Sequence, residues 1–170
     1  VGEVWANHHK EFSKFVINYC DENIIEMGGG ANNLANLCIK NKKIKNWYNF
    51  ELAKVKRDQI KFNKKVKYIN KSINDLSVKN FIHKNTSFVH SHVLEHLYSP
   101  LETLKSILKF EQIDKMIFSI PNLKMYLKKR YSNVINFEHT YLITEEVLKK
   151  MLNLVNFRIK KKKYYKEHSI

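Results

Sequence analysis

Glu26, Gly28, Gly29 and Gly30 place a carboxylate and three of the chain's four glycines within five residues. Glycine is concentrated where backbone must take positive φ or pass close to another group. The acid two positions before the first glycine bears on what that group is, because a carboxylate there repels a pyrophosphate and attracts a ligand carrying positive charge. Against the dinucleotide fingerprint GxGxxG, Gly28 and Gly30 fit but the third position is Asn33. A glycine turn that binds nothing has the same local signature. A second group with chemical potential is His92, Glu95 and His96, whose spacing predicts three polar side chains on one turn of a helix.

The elements that must position these residues follow from periodicity. Ile24 and Ile25 head a buried strand over 23–27, and the apolar residues of 31–39 continue as a helix reaching about Asn41. Strand, glycine turn and helix form the first βα unit of a doubly wound fold. Before it, 4–19 reads as an amphipathic helix with Trp5, Phe12, Phe15, Val16 and Tyr19 on one side, covering the sheet edge or a ligand mouth. Strands are predicted at 47–50, 66–69, 87–91 and 115–120, and helices at 52–63, 100–110 and 144–154. A long insertion at about 123–137 and a last strand-like pair, 157–159 and 164–165, complete the chain. Strands alternating with helical patterns predict an α/β fold: a doubly wound, mostly parallel, Rossmann-like sheet with helices on both faces. At 170 residues the chain is expected to be a single domain, 1–170. Glu51, at the tip of the second strand and about 20 residues beyond the glycines, stands where an acid takes ribose hydroxyls, or else where an acid opens a helix.

With Glu26, Gly28 and Gly30 in place, the turn resembles motif I of the class I methyltransferases that use S-adenosylmethionine (SAM), (D/E)xGxGxG. SAM carries a sulfonium and an ammonium and no phosphate. Asn32 stands where that family has its last glycine, a mild departure because Asn tolerates left-handed backbone. The resemblance extends to 88–100, with Ser91, His92, two apolar residues, Glu95, His96, Leu97 and then Pro100, and to Ser119 through Asn122 after the fifth strand. It continues in 136–141, Asn Phe Glu His Thr Tyr, which is similar to the stretch opening the last helix of sugar and small-molecule methyltransferases; Asn156 and Phe157 replace the usual Gly and Phe.

The resemblance implies a SAM-dependent methyltransferase, with O-methylation of a small sugar-like, phosphorylated or biosynthetic intermediate as the expected reaction. It implies cofactor contacts from Glu26, Gly28, Gly29, Gly30, Glu51, Ser91 and His92. Adenine contacts fall on Ser72 and Ile73 by distance from the strand, whereas Asp75 and Leu76 match by chemistry but come late. Methyl transfer needs alignment and exclusion of water, with a base where the acceptor is a hydroxyl. His92, Glu95, His96 and His139 are the catalytic candidates. Tyr126, Arg130, Tyr131, Glu138 and His139 are the acceptor-binding candidates, and the Lys, Arg and Tyr content of 123–137 suits an acceptor with phosphate or carboxylate. In some relatives, including small-RNA and quinone-precursor O-methyltransferases, a Glu-x-x-Glu-His turn with further histidines binds Mg²⁺. Here His92 replaces the first Glu, so His92, Glu95, His96 and His139 suit a borderline metal better than magnesium. The preferred reading needs no metal: Glu95 and His96 cap and orient the turn while His139 meets the acceptor. Two alternatives are an RNA methyltransferase of the same fold and a non-catalytic binding subunit.

Composition narrows the field further. The 44% apolar and 12% aromatic content belongs to a folded globule, and no apolar run approaches the roughly 18 residues of a membrane span. With no signal-peptide pattern, the expectation is a cytoplasmic protein. The formal net charge of +15 suggests a polyanionic partner. However, Arg57, Arg130 and Arg158 are the only arginines among 31 cationic residues, and the lysines are spread beside abundant Asn and Ile. That pattern matches the codon bias of an AT-rich genome, so the charge is not read as nucleic-acid binding, and the lysines of 40–45 and 160–163 read as solvated faces. Cys20 and Cys38, each in an apolar stretch, read as buried free thiols.

Overall fold

A computed structural model describes residues 2–131, 138–166 and 168–170. The end of the expected insertion, including Asn136 and Phe137, lies outside the described residues. Five strands, β1 (Asn23–Met27), β2 (Asn46–Phe50), β3 (Val66–Ile69), β4 (Thr86–Ser91) and β5 (Lys115–Ser119), form one parallel sheet in the order β3-β2-β1-β4-β5. This meets the doubly wound expectation. Every residue of the central β1 is buried, as befits a strand covered on both faces.

The register aligns the carboxyl ends: Met27 pairs with Phe50 on one side and His90 on the other, and Phe50 pairs with Ile69. The glycine turn, Glu51 and Ser91 thus leave adjacent strands at the same edge. Between β1 and β4 the strand order reverses, and the crevice at such a switch point is where open α/β sheets bind ligands.

The chain groups into two compact units, Val1–Ser91 with Phe110–Phe118, and His92–Lys109 with Ser119–Ile170. In the first, α1 (Glu3–Tyr19) and α2 (Asn33–Cys38) pack on each other and join the strands in a core of Phe12, Val16, Ile24, Leu34, Trp47 and Val89. Trp5 and Tyr19, at the ends of the α1 stripe, stay partly exposed, whereas His8 is buried. Both cysteines are free and buried. The second unit holds α3 (Pro100–Leu108), α4 (Leu123–Lys128) and α5 (Glu145–Asn153). Its last residues lie against the segment after β5, with Ile120 and Ile170 exchanging backbone hydrogen bonds at 3.0 Å. Among the described residues no helix is long and apolar enough to cross a membrane.

Three expectations are corrected. The predicted helix over 52–63 does not form. Leu52 and Phe62, which such a helix would set on its apolar face, are 73% and 69% exposed, so no core covers that face. The Asn70 amide donates to the carbonyls of Glu51, Leu52 and Ala53 at 2.8, 3.2 and 3.3 Å, the acceptors that a helix starting there would use. The helix after the glycines is also shorter than predicted, Asn33–Cys38. The closing pair 157–159 and 164–165 forms no strand, only isolated bridges from Ser169 to Pro121 and Tyr165. Arg158 and the exposed lysines of 160–163 would set like charges beside one another in a ladder.

Candidate active site

Two different physical demands explain the three glycines. Gly28 and Gly30 have φ of 69° and 51°, in the left-handed region that side chains disfavour. At Gly29 the demand is space: a Cβ there would lie 2.4 Å from Glu26 Oε2 and 2.6 Å from Asn49 Oδ1. A carboxyl and an amide fill the volume beneath the turn.

Glu26 is 1% exposed and accepts a 2.7 Å hydrogen bond from Trp47 Nε1. Burial pushes its carboxyl up to about 8, against the Trp47 bond, and the neighbouring Glu51 adds to the rise. At neutral pH Glu26 is therefore largely protonated. The accessible acid beside the turn is the half-buried Glu51. Its Oε2 accepts from Gly30 N at 2.9 Å and its Oε1 from Ala53 N at 2.8 Å. Two backbone donors orient the carboxylate, and each oxygen keeps a second lone pair for an incoming hydroxyl.

Asn32 takes the left-handed conformation at φ 63° and ψ 28° and caps α2, the conformation the missing glycine would supply. Asn49 is assigned by the sequence pattern only to a strand. It is fully buried and hydrogen-bonds Gly29 N, Gly30 O and Asn32 Oδ1. Its sequence signal was a polar residue interrupting the run Trp47 to Phe50.

At the end of β3, Ser72 accepts from Asn74 N and Ile73 is buried. Asp75, the better chemical match for adenine, caps a short 3-10 turn (Leu76–Phe81) by accepting from Ser77 N, and that bonding holds its carboxyl below the usual range. Ser91 closes β4.

In the second unit, Glu95 and His96 lie on a 3-10 turn, Leu94–His96. The prediction that His92 shares this turn is corrected: its φ of 52° sets it outside. Its side chain is 8% exposed, with Nε2 at 3.0 Å from Ser169 Oγ and Nδ1 at 3.4 Å from Glu95 Oε1. Backbone and side-chain bonds draw the segment around His139 to the turn. His96 Nδ1 lies 2.9 Å from Glu138 O, Tyr141 N donates to Glu95 O at 3.1 Å, and Thr140 Oγ1 donates to His96 O at 3.3 Å. Because a carbonyl only accepts, His96 carries its proton on Nδ1, which leaves the Nε2 lone pair of the neutral ring available. The His96 and His139 rings meet edge to face at 4.8 Å.

Glu95, His96 and His139 each offer a ligand atom within 4.8 Å of the others. One buried carboxylate and two imidazoles fit a borderline divalent cation better than magnesium, which prefers oxygen ligands. Glu95 and His139 also line a pocket with Pro121, Leu123, Tyr126 and Tyr141. Tyr126 is buried, its hydroxyl pushed up by burial and then by Glu95, and Tyr131 meets it edge to face at 5.8 Å. Arg130 and Glu138 are exposed. The structure thus gathers His96, His139 and Glu95 with Tyr126, while Glu138 contributes its backbone carbonyl.

No protein-family model and no curated protein sequence matches the chain. Solved structures do. The chain superposes on the methyltransferase domain of bacterial CtHen1 with a TM-score of 0.65 at 15% identity, covering 90% of this chain and 84% of that one. The fold is that of the class I SAM-dependent methyltransferases. A SAM-dependent methyltransferase from Archaeoglobus fulgidus gives 0.65 at 19% identity, over 90% of this chain and 69% of that one. The magnesium protoporphyrin IX methyltransferase of Synechocystis PCC 6803, solved with bound S-adenosylhomocysteine (SAH), gives 0.67 at 13% identity, over 98% and 80%. In this methyltransferase fold the glycine turn follows β1 and Glu51 follows β2, both at the carboxyl edge of the sheet.

Proposed function

We propose that the chain is a SAM-dependent methyltransferase acting on a hydroxyl of a small polar molecule, sugar-like or phosphorylated. The observation that carries this reading is Glu51, held by Gly30 N and Ala53 N at the edge where ribose hydroxyls would meet it. In this reading the glycine turn and Glu51 bind the cofactor, with Ser72 and Ile73 toward adenine. The pocket of Tyr126, Tyr141 and His139 takes the acceptor, Tyr131 packs on Tyr126, and His139 or His96 withdraws the proton. With a cation held by Glu95, His96 and His139 instead, the two imidazoles would serve as ligands and not as bases, and the cation would polarise the acceptor hydroxyl.

A second reading, methylation of an RNA, rests on that same donor set and on the likeness to CtHen1, whose name is that of a small-RNA methyltransferase in another matched structure. Calorimetry of the purified chain with SAM and SAH tests the cofactor. No binding at millimolar ligand removes both readings. Transfer of labelled methyl from SAM to sugar phosphates or to short RNAs, with and without chelator, separates them. His139→Ala is expected to lower turnover by roughly 10² or more while the Kd for SAH stays within about twofold. An equal loss of SAH binding would contradict the division of roles.

A further inference from the structure

We infer that Asn49 is a positioning residue for the cofactor turn, and that it forms a single device with Asn32, the residue standing in for a glycine. The inference rests on the cofactor reading and concerns a residue that touches no cofactor. Backbone groups fix the direction of both amides. Gly29 N can only donate, so Asn49 must present Oδ1 to it, at 3.0 Å. That turns Nδ2 of Asn49 toward Gly30 O, which can only accept, at 3.2 Å. The second Nδ2 proton then points at Asn32, which must answer with Oδ1, at 2.7 Å. Asn32 Nδ2 is thereby aimed at Lys61 O, at 3.2 Å, a carbonyl that again only accepts.

The side chain at 49 therefore needs one acceptor and two donors at the reach of a single methylene. Asp offers acceptors alone, Ser is too short to span the three groups, and Gln is one methylene longer. Glu26 and Asn49 are direct partners in the β1 and β2 ladder, so their side chains fill the space under Gly29 together. With the peptide planes of Gly29 and Gly30 fixed, Gly30 N is held toward Glu51 Oε2. Asn49 thus sets the position of the group expected to meet the ribose.

Calorimetry with SAH on the full chain tests this without any acceptor, and a denaturant melt shows that each variant is folded under the assay conditions, because an unfolded fraction in equilibrium would itself raise the apparent Kd. Asn49→Ala is expected to raise the Kd for SAH at least tenfold. Asn49→Asp should raise it as much, since a carboxylate would face Gly30 O and Asn32 Oδ1. If Asn49→Ala does not fold, Asn49→Asp and the double variant Asn32→Gly/Asn49→Asp carry the test. Removing Asn32 Oδ1 takes away one of the two repulsions and keeps the left-handed backbone, so the double variant should recover at least threefold in Kd over Asn49→Asp. A Kd for Asn49→Asp within twofold of the parent, or a double variant that binds no better than Asn49→Asp, overturns the inference while the cofactor reading stands. A parent chain that binds no SAH overturns both.

Discussion

The glycine turn and the Glu95, His96 and His139 group are built by opposite means. Around the turn, within a span of 26 residues, Trp47 bonds Glu26, Asn49 bonds Asn32 and the turn backbone, and Glu51 bonds Gly30 N, and Glu26, Asn32, Trp47 and Asn49 are no more than 1% exposed. Around His139, segments some 40 residues apart are joined by bonds that are largely exposed, such as Thr140 Oγ1 to His96 O and Tyr141 Oη to Tyr98 O. Burial raises the cost of leaving a polar group without its partner, and water supplies a substitute partner at the surface. The first region is therefore expected to respond to substitution as a unit and the second bond by bond. This division suits a cofactor of constant shape and an acceptor that differs between relatives.

Gly29→Val should break the first region most severely. Over-packing typically costs about 1–3 kcal/mol, and here the added carbons meet two buried polar groups, so about 4 kcal/mol is expected, with loss of SAH binding. Gly30→Ala meets no atom within 4 Å and has only its φ of 51° to accommodate, roughly 1–2 kcal/mol. Denaturant melts of the two variants measure the gap. Equal losses would mean that backbone conformation, rather than the volume beneath Gly29, dictates the glycines.

The next effect concerns pH. Glu26 is protonated more readily in the folded chain, at about 8, than at the ordinary 4.5, so the folded state binds more protons between those values. The contribution of Glu26 to stability is accordingly full below about pH 4.5, falls as pH rises toward 8, and levels off above. Glu26→Gln removes this dependence. The stability of Glu26→Gln relative to the parent should therefore rise with pH between 5 and 8, with a slope of up to roughly 1.4 kcal/mol per pH unit. A difference that stays constant across that window would place the Glu26 charge in water.

What was legible in the sequence divides along the same line. The five strands, the glycine turn and the left-handed Asn32 could be read because each is encoded by local residue types: apolar runs, glycine and asparagine. Glu95, His96 and His139 were brought forward by their motif resemblance, and the structure groups them. Asn49 was hidden because a buried polar residue inside a strand has meaning only through partners on another strand's turn. The absent helix over 52–63 was hidden for a similar reason, since Asn70 captures the carbonyls of 51–53 from the end of β3. His92 departed from its expected turn through a positive φ, a conformation that histidine takes only occasionally and so does not announce as glycine does.

The smallest effect is the sharpest probe of the second region. Among the described residues, Tyr141→Phe removes the 3.1 Å bond from Tyr141 Oη to Tyr98 O, at a residue 45% exposed. Water can take over the carbonyl of Tyr98, so the loss should stay within about 0.5–1 kcal/mol in a denaturant melt. Tyr141 lines the pocket beside His139, so this variant should bind SAH as the parent does and change the acceptor KM instead. A loss near that of Gly29→Val would show that the second region, too, is held as one buried network. The acceptor pocket would then be as fixed in shape as the cofactor turn, and a single acceptor chemistry would be expected in place of an adaptable one.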